Sequence, residues 1–516
     1  MKEGATIEKW EIEDEGFWES HGKKIANRNL YISIFALFLA FGTWNIWSIL
    51  IVRMQTLGFT LGLEDPGKSA ELLYSLPALA GLSGATLRIP HSFLIAIGGG
   101  RNVIFISTAL LLIPVVGIGW ALQNLHTPYM TFAFLALLSG FGGGNLASSM
   151  SNISGFYPKK HLGKALGLNA GLGNLGVSGG QFLMPAVMGF AIFGSWSGSV
   201  RILEGRPSDQ LIYIQNAAFI WIPWLLLALI AVFFGMNNLR ISSPGHRSNS
   251  LGIFRSLFLI ALGLITSALG VFLLSDLDLN MWLVLPLIII LTLILMKYLS
   301  PREIKGNLKQ QFSIFKHKHN WIMTLIHSMT FGSFIGFSEA FPKLSQDIFV
   351  RLPNGIINPN APNVLAFAFL GPLVGALVRP LGGYLSDKIN SGSKVTHWAT
   401  IVMILAILGL AYVIMLARSS HKPEIYFPSF FCLFMILFLA TGIGNGSTFR
   451  SVPHIFNKTQ TGPVLGWISA IGAYGAFIVP MIIGHQIKAG HPQNALFGFA
   501  FFYLNCLIIN WWFYQR

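Results

Sequence analysis

Fourteen stretches of this chain are apolar over the ~20 residues needed to cross a bilayer, and that repetition constrains the fold more than any single motif. They fall at about 30–53, 71–97, 102–122, 128–156, 162–193 and 213–235, then 252–274 and 281–299, then 320–341, 363–386, 396–417, 426–449, 463–484 and 494–514. Backbone polar groups inside hydrocarbon have no water to pair with, so segments of this length are read as helices. The expected class is an all-α membrane protein. Composition agrees: 53% of the 516 residues are hydrophobic and 10% are charged, too few for a soluble chain of this size.

Charge in the connections sets the orientation. The net charge of +15 is carried by short loops, so it argues for loops retained in the cytoplasm and against nucleic-acid binding. Lys159, Lys160 and Lys164 follow the fourth span, Arg240, Arg247 and Arg255 follow the sixth, and Arg302, Lys305, Lys309, Lys316 and Lys318 precede 320–341. The opposite loops carry Glu64 and Asp65, no charge near His126, and Asp276 with Asp278. Both termini are therefore expected in the cytoplasm. The polar stretch 1–29 lacks the apolar core of a cleavable signal peptide and reads as a cytoplasmic arm, with Trp10, Phe17 and Trp18 along the membrane surface. The expected layout is a six-helix bundle over 30–240, a linker over 241–318 containing the hairpin 252–299, and a second six-helix bundle over 319–516.

The two bundles repeat each other. Gly84-Ala85-Thr86-Leu87-Arg88 returns as Gly375-Ala376-Leu377-Val378-Arg379, a separation of 379 − 88 = 291 residues. Gly167, Gly173 and Gly176 correspond to Gly466, Gly472 and Gly475 at 299 residues, and Asn145 to Asn445 at 300. Internal symmetry of this kind marks a transporter built from repeated halves, with its substrate at the midplane between them.

An arginine at the centre of a membrane helix costs ~2.5–3.5 kcal/mol on insertion scales and is by default a functional-site candidate. Arg88 and Arg379 occupy matching places in the two halves, which suggests one shared site. Neither phrase contains an acid. Guanidinium is flat and permanently charged, with forked donors suited to planar oxyanions. The plainer alternative is that each arginine meets a carboxylate from another helix, for which Glu339 and Asp387 are the candidates. Glu339 is expected at the outer surface and Arg450 at the cytoplasmic one.

Gly163, Gly167 and Gly171 stand four apart and share one helix face, where small residues let a neighbouring backbone approach. Gly171, Gly173 and Gly176 also fit a G-x-G-x-x-G pattern, but no strand precedes it, so a dinucleotide site is rejected. The amides of Asn169 and Asn174 are then placed to face a substrate. Cys432 and Cys506 lack metal-ligand spacing and read as core residues. No nucleophile elbow, H-E-x-x-H or paired carboxylates stand in the spans, so no enzyme chemistry, metal or other cofactor is expected.

The stretch Gly163-Lys-Ala-Leu-Gly-Leu-Asn169-Ala-Gly-Leu-Gly-Asn174-Leu-Gly-Val-Ser178 resembles the first nitrate signature of the nitrate/nitrite porters, within the major facilitator superfamily. Gly466-Trp-Ile-Ser-Ala-Ile-Gly-Ala-Tyr-Gly-Ala-Phe-Ile-Val-Pro480 resembles the second. Trp10, Phe17-Trp18 and Ile25-Ala26-Asn27-Arg28-Asn29-Leu30 are similar too, as are Gly144-Asn145-Leu-Ala-Ser-Ser-Met150 and Phe331-Gly-Ser-Phe-Ile-Gly-Phe-Ser338. Gly383-Tyr-Leu-Ser-Asp387-Lys388 looks like the superfamily's cytoplasmic loop motif. The resemblance spans nearly the whole chain except about 245–310.

The resemblance implies a major facilitator fold with an added hairpin, acting as a monomer in the bacterial inner membrane in contact with lipid. It implies that Arg88 and Arg379 clamp nitrate or nitrite, with Asn174 and the glycine helices near and Phe331 stacking on the anion. Leu146 stands where relatives carry phenylalanine, which removes one stacking face. His327 stands where they carry tyrosine, which introduces a group that can titrate near neutral pH. Two couplings stay open: exchange of nitrate for nitrite, or symport with protons involving His327 or Glu339. An anion channel or a transport-derived sensor for another small oxyanion is the alternative; only a carrier shows counterflow.

Overall fold

The computed structural model describes residues 6–64, 66–194, 201–202, 211–242, 248–275, 277–350, 357–456 and 458–516. Its long helices are Glu15–Thr56 (α1), Leu72–Gly98 (α2), Gly100–Ala121 (α3), Tyr129–Ser154 (α4), Lys159–Val187 (α5), Asn216–Gly235 (α6), Ser250–Ser275 (α7), Met281–Leu299 (α8), 318–350 (α9), Val364–Lys388 (α10), Gly392–Ser419 (α11), Pro423–Ile455 (α12), Pro463–Lys488 (α13) and Gln493–Tyr514 (α14). The only strands among the described residues are two-residue pairs.

Among the described residues, twelve helices are long and apolar enough to cross a membrane, and α5 and α9 are not among them. The reason is where they lie. Helix α5 is rich in glycine and asparagine, and α9 carries His327, Glu339 and Lys343; all thirteen residues of Ser333–Ser345 are buried. Protein encloses that stretch of α9, so its polarity costs little, and α5 buries Asn169 and Asn174 while leaving Leu172 and Phe182 exposed.

Glycines decide how closely the helices meet. A Cβ on Gly176 would collide with the Phe38 carbonyl and one on Gly173 would stand 2.5 Å from the Leu37 side chain, so α5 lies directly on α1. In the other half, a Cβ on Gly475 would strike the backbone of Gly332, one on Gly472 would stand 3.1 Å from the His327 ring and one on Gly466 3.0 Å from Ser92 Oγ. The expected packing face of Gly167 and Gly171 is corrected: a Cβ on either would meet nothing within 4 Å, because both border open space rather than a helix. The surroundings of Gly163 lie outside the described residues.

The α2–α3 turn is as tight as a chain allows. Gly99 has φ +80°, and a Cβ there would sit 2.5 Å from Asn238 Oδ1, which instead accepts from the Arg101 amide at 2.9 Å.

The amino-terminal arm is not spread along a membrane surface. Trp10 and Trp18 are buried, edge-on to Phe156 (5.6 Å) and Tyr157 (5.6 Å), in a small core with Ile25, Leu30, Ile153 and Leu239. Thr6–Ile7 pairs in parallel with Asn238–Leu239. Burying the tryptophans in the chain's own core removes more apolar area than resting them at an interface would. Of the loop charges, Asp65, Arg247 and Asp276 lie outside the described residues. The hairpin α7–α8 packs on α2: a Cβ on Gly263 would stand 3.0 Å from Leu87 and Pro90.

Candidate functional site

Three chemically active residues lie at one depth. Arg88 stands ten residues before the end of α2, Arg379 nine before the end of α10, and His327 nine after the start of α9. At 1.5 Å per residue that is about 14–15 Å from the Lys/Arg-rich end, close to half of a ~30 Å hydrocarbon layer.

Arg88 is fully buried and partly tied down. Its Nε donates to the Gly143 carbonyl of α4 at 2.7 Å, and its Nη1 donates to the carbonyl and Oγ of Ser469 on α13 at 3.1 and 3.0 Å. Its Nη2 has no partner. Phe41, Trp44 and Phe331 wall the group, with their ring centres 5.8, 5.3 and 5.1 Å from the guanidinium carbon. Trp44 is held in place by donating its indole N–H to Ala80 O at 2.7 Å.

Arg379 comes from the other half and is tied to nothing. Its buried Nε and Nη2 have no hydrogen-bond partner, and its guanidinium lies over Phe334 at 4.3 Å and over Phe331 at 5.5 Å. One ring, Phe331, therefore borders both cations, which are no farther apart than the sum of their distances to it. A π-helical turn, Ser328–Gly332, presents that ring; such bulges re-aim side chains and gather at functional sites.

His327 stacks on the same ring, 5.6 Å between centres and 20° between planes. Its Nδ1 lies 3.3 Å from Thr448 Oγ1 and its buried Nε2 has no partner.

Neither candidate acid neutralises the arginines. Asp387 pairs with Arg450 at 2.8 Å, and no acid lies within ion-pair distance of Arg88 or Arg379 among the described residues. Glu339 was expected at the outer surface. It is instead fully buried in α9 with neither oxygen hydrogen-bonded, because helices from both halves cover that stretch of α9. A buried cation without a counter-charge is costly, so the pair is set to accept an anion.

Among the described residues, no hydrogen bond links the remaining expected residues to the arginines. Asn174 is buried but spends its amide nitrogen on Ala170 O at 2.6 Å, leaving Oδ1 unpaired. Asn169 gives its amide nitrogen to Ser149 Oγ at 2.8 Å, so its donor is committed inside the first half. Leu146 is buried on α4, three residues past Gly143. Sequence reasoning assigned no role to Trp44, Phe334 or Ser469, although the last two stand inside the motif stretches Phe331–Ser338 and Gly466–Pro480. It also overlooked His91, which is buried one turn beyond Arg88 with Nδ1 2.8 Å from Ser148 Oγ. Asn145 and Asn445 were legible as a repeat; both are buried with both amide atoms unpaired.

At the end away from the basic loops the halves are latched together. Gln181 of α5 donates to Ser338 O of α9 at 2.8 Å, Gln346 to Val52 O at 3.4 Å, and the Tyr74 hydroxyl to Asp347 at 2.7 Å. Asp347 is in turn held by buried Lys343 at 2.6 Å. Toward the basic-loop end, Gly167, Gly171 and Gly383 face open space.

Comparison with solved structures places the fold. A proton:xylose symporter, XylE, superposes with a TM-score of 0.60 at 15% identity, covering 96% of each chain, and a POT family transporter with a TM-score of 0.58 at 13% identity, covering 94% of each. Both are transporters, the first of the major facilitator superfamily. Among curated proteins, a probable nitrate/nitrite antiporter, NarK2 of Thermus thermophilus, is 36% identical over 516 residues, covering 99% of this chain and 97% of the relative. The chain belongs to the nitrate/nitrite transporter family. The nitrate/nitrite transporter NarU of Salmonella typhimurium is 35% identical over 98% of this chain and 96% of its own length. No family model matches. As a member of this family the chain is an all-α, multi-pass transporter of the bacterial inner membrane and not an enzyme.

Proposed function

We propose that this protein carries nitrate and nitrite across the membrane by alternating access, holding one anion at a time between Arg88 and Arg379. The observation that carries the reading is the shared ring: two guanidinium groups, one from each half, border Phe331 with three buried nitrogens unpaired and no acid between them. Nitrate is flat, so its oxygens suit the guanidinium fork while its face lies on an aromatic ring.

The charge balance supplies the mechanism. With the site empty, two like charges stand in a region of low dielectric, which opposes closing the halves around them. A bound anion offsets one charge and joins the halves through its own hydrogen bonds. Rocking of the halves is then favoured with cargo and disfavoured without it, which is the condition for exchange. The layout proposed with it is the one read from the sequence: arm 1–29, bundles over 30–240 and 319–516, and a linker 241–318 containing the hairpin 252–299.

Exchange of nitrate for nitrite moves no net charge. Net uptake against an inside-negative potential costs ~2.3 kcal/mol per charge per 100 mV and requires a compensating cation. The test is counterflow in proteoliposomes: labelled nitrate should enter faster when the lumen holds nitrite, and saturate. Current without counterflow would mean a channel and end the reading.

A further inference from the structure

The two long seams between the halves are related by the internal repeat, and they are not alike. Ser92 of α2 and Gly466 of α13 lie against each other: a Cβ on Gly466 would stand 3.0 Å from Ser92 Oγ. Their counterparts in the repeat are Gly383 of α10, since 383 − 291 = 92, and Gly167 of α5, since 466 − 299 = 167. A Cβ on either of these meets nothing within 4 Å. Between the clamp and the basic loops, the α2–α13 seam is therefore shut and the α5–α10 seam is open. The repeat by itself gives no reason for the difference.

What sets the shut seam apart is the inserted hairpin. Helix α7 runs antiparallel along α2: a Cβ on Gly98 would strike Ser256 Oγ, one on Gly263 would stand 3.0 Å from Leu87 and Pro90, and one on Gly270 would stand 3.4 Å from Leu82. Those contacts cover residues 82–98 of α2, about 24 Å at 1.5 Å per residue. Helix α8 lays Ile289 and Leu293 against the apolar cluster that holds Trp467 and Ile468 of α13. One helix of the hairpin thus grips the first half and the other grips the second. The segment after the hairpin crosses the same seam with rings. Phe93 of α2 is edge-on to Phe312 at 5.8 Å, Phe312 lies 5.7 Å from Phe315, and Phe315 is edge-on to Trp467 at 4.6 Å. Parting the seam there would open this stack to water.

We propose that the hairpin staples the basic-loop end of the α2–α13 seam and makes it the hinge on which the halves rock, so that the anion passes between the clamp and the basic-loop side through the slot between α5 and α10. This rests on the alternating-access reading above. A body turning about a fixed edge moves most at the side farthest from that edge, so a hinge at Phe93 and Trp467 concentrates the opening at Gly167 and Gly383. The slot also gives a use to glycines that touch nothing in this structure. Gly167 and Gly171 on one wall and Gly383 on the other leave bare backbone, and bare backbones let two helices close face to face once the anion is bound.

Two cysteine pairs test this in the full chain carrying Cys432→Ser, since Cys432 is exposed. Phe93→Cys with Phe312→Cys is bridged by a short bifunctional thiol reagent, and Gly167→Cys with Gly383→Cys is oxidised to a disulfide. Nitrate/nitrite counterflow in proteoliposomes is read before bridging, after it and after reduction, so each variant is its own reference. Bridging the first pair should leave the rate unchanged. Bridging the second should abolish it, and reduction should restore it. Bridging yields in the purified protein give a readout that needs no transport: the first pair's should be the same with and without nitrate, and the second pair's should rise several-fold with nitrate. Gly263→Val forces α7 away from α2 and should lower the first pair's yield several-fold. Loss of counterflow on bridging the first pair, unchanged counterflow after bridging the second, or a second-pair yield indifferent to nitrate overturns the hinge, and a first-pair yield indifferent to Gly263→Val removes the hairpin from it. Absence of counterflow in the wild type would instead overturn the alternating-access reading.

Discussion

Arg379→Lys separates the geometry of the clamp from its charge. The Arg379 guanidinium makes no hydrogen bond to the protein, so its donors are all available to a ligand. Lysine keeps the positive charge and one contact but loses the fork. A hydrogen bond to a charged group contributes about 1.5–3 kcal/mol, so losing one should weaken nitrate binding roughly 10- to 150-fold. Stability should stay within about 0.5 kcal/mol of wild type, since no internal bond is removed. Arg88→Lys makes the contrast. It strips the bonds to Gly143 and Ser469, each a hydrogen bond from a charged donor contributing about 1.5–3 kcal/mol, so thermal stability should drop along with binding. Calorimetric titration with nitrate and a thermal melt of both variants check this. Wild-type affinity in Arg379→Lys would refute the fork, and equal melting of the two variants would refute the division of labour. Flux should be lost in both.

Three further outcomes follow from the packing. Gly176→Ala and Gly475→Ala each drive a methyl into a facing carbonyl and should cost about 1–3 kcal/mol, seen as lower yield and melting temperature, whereas Gly167→Ala should fold like wild type. Tyr74→Phe removes the bond to Asp347 across the halves and should favour opening at that end, read as several-fold faster labelling of a cysteine introduced at buried Ser345; unchanged labelling would show the latch is idle. Trp10→Ala empties a buried ring site beside Phe156 and should expose the arm to proteolysis while leaving nitrate affinity unchanged.

Hydropathy and charge were enough to place the helices, because lipid imposes a length and an apolar surface that any sequence must display. The same rule explains where they were least informative. The polar stretch of α9 is enclosed by its neighbours and the asparagines of α5 are buried, so their polarity marks a location in the bundle that only packing reveals. The repeated arginine phrase was legible because a buried cation is costly wherever it lies. That Glu339 and Asp387 do not neutralise it, and that Phe331 borders both cations, depended on how ten-residue intervals on three helices bring side chains to one depth. The glycines divided the same way: Gly176 touches a backbone and Gly167, on the opposite face of the same helix, touches nothing, and which of the two faces meets a neighbour is decided by packing.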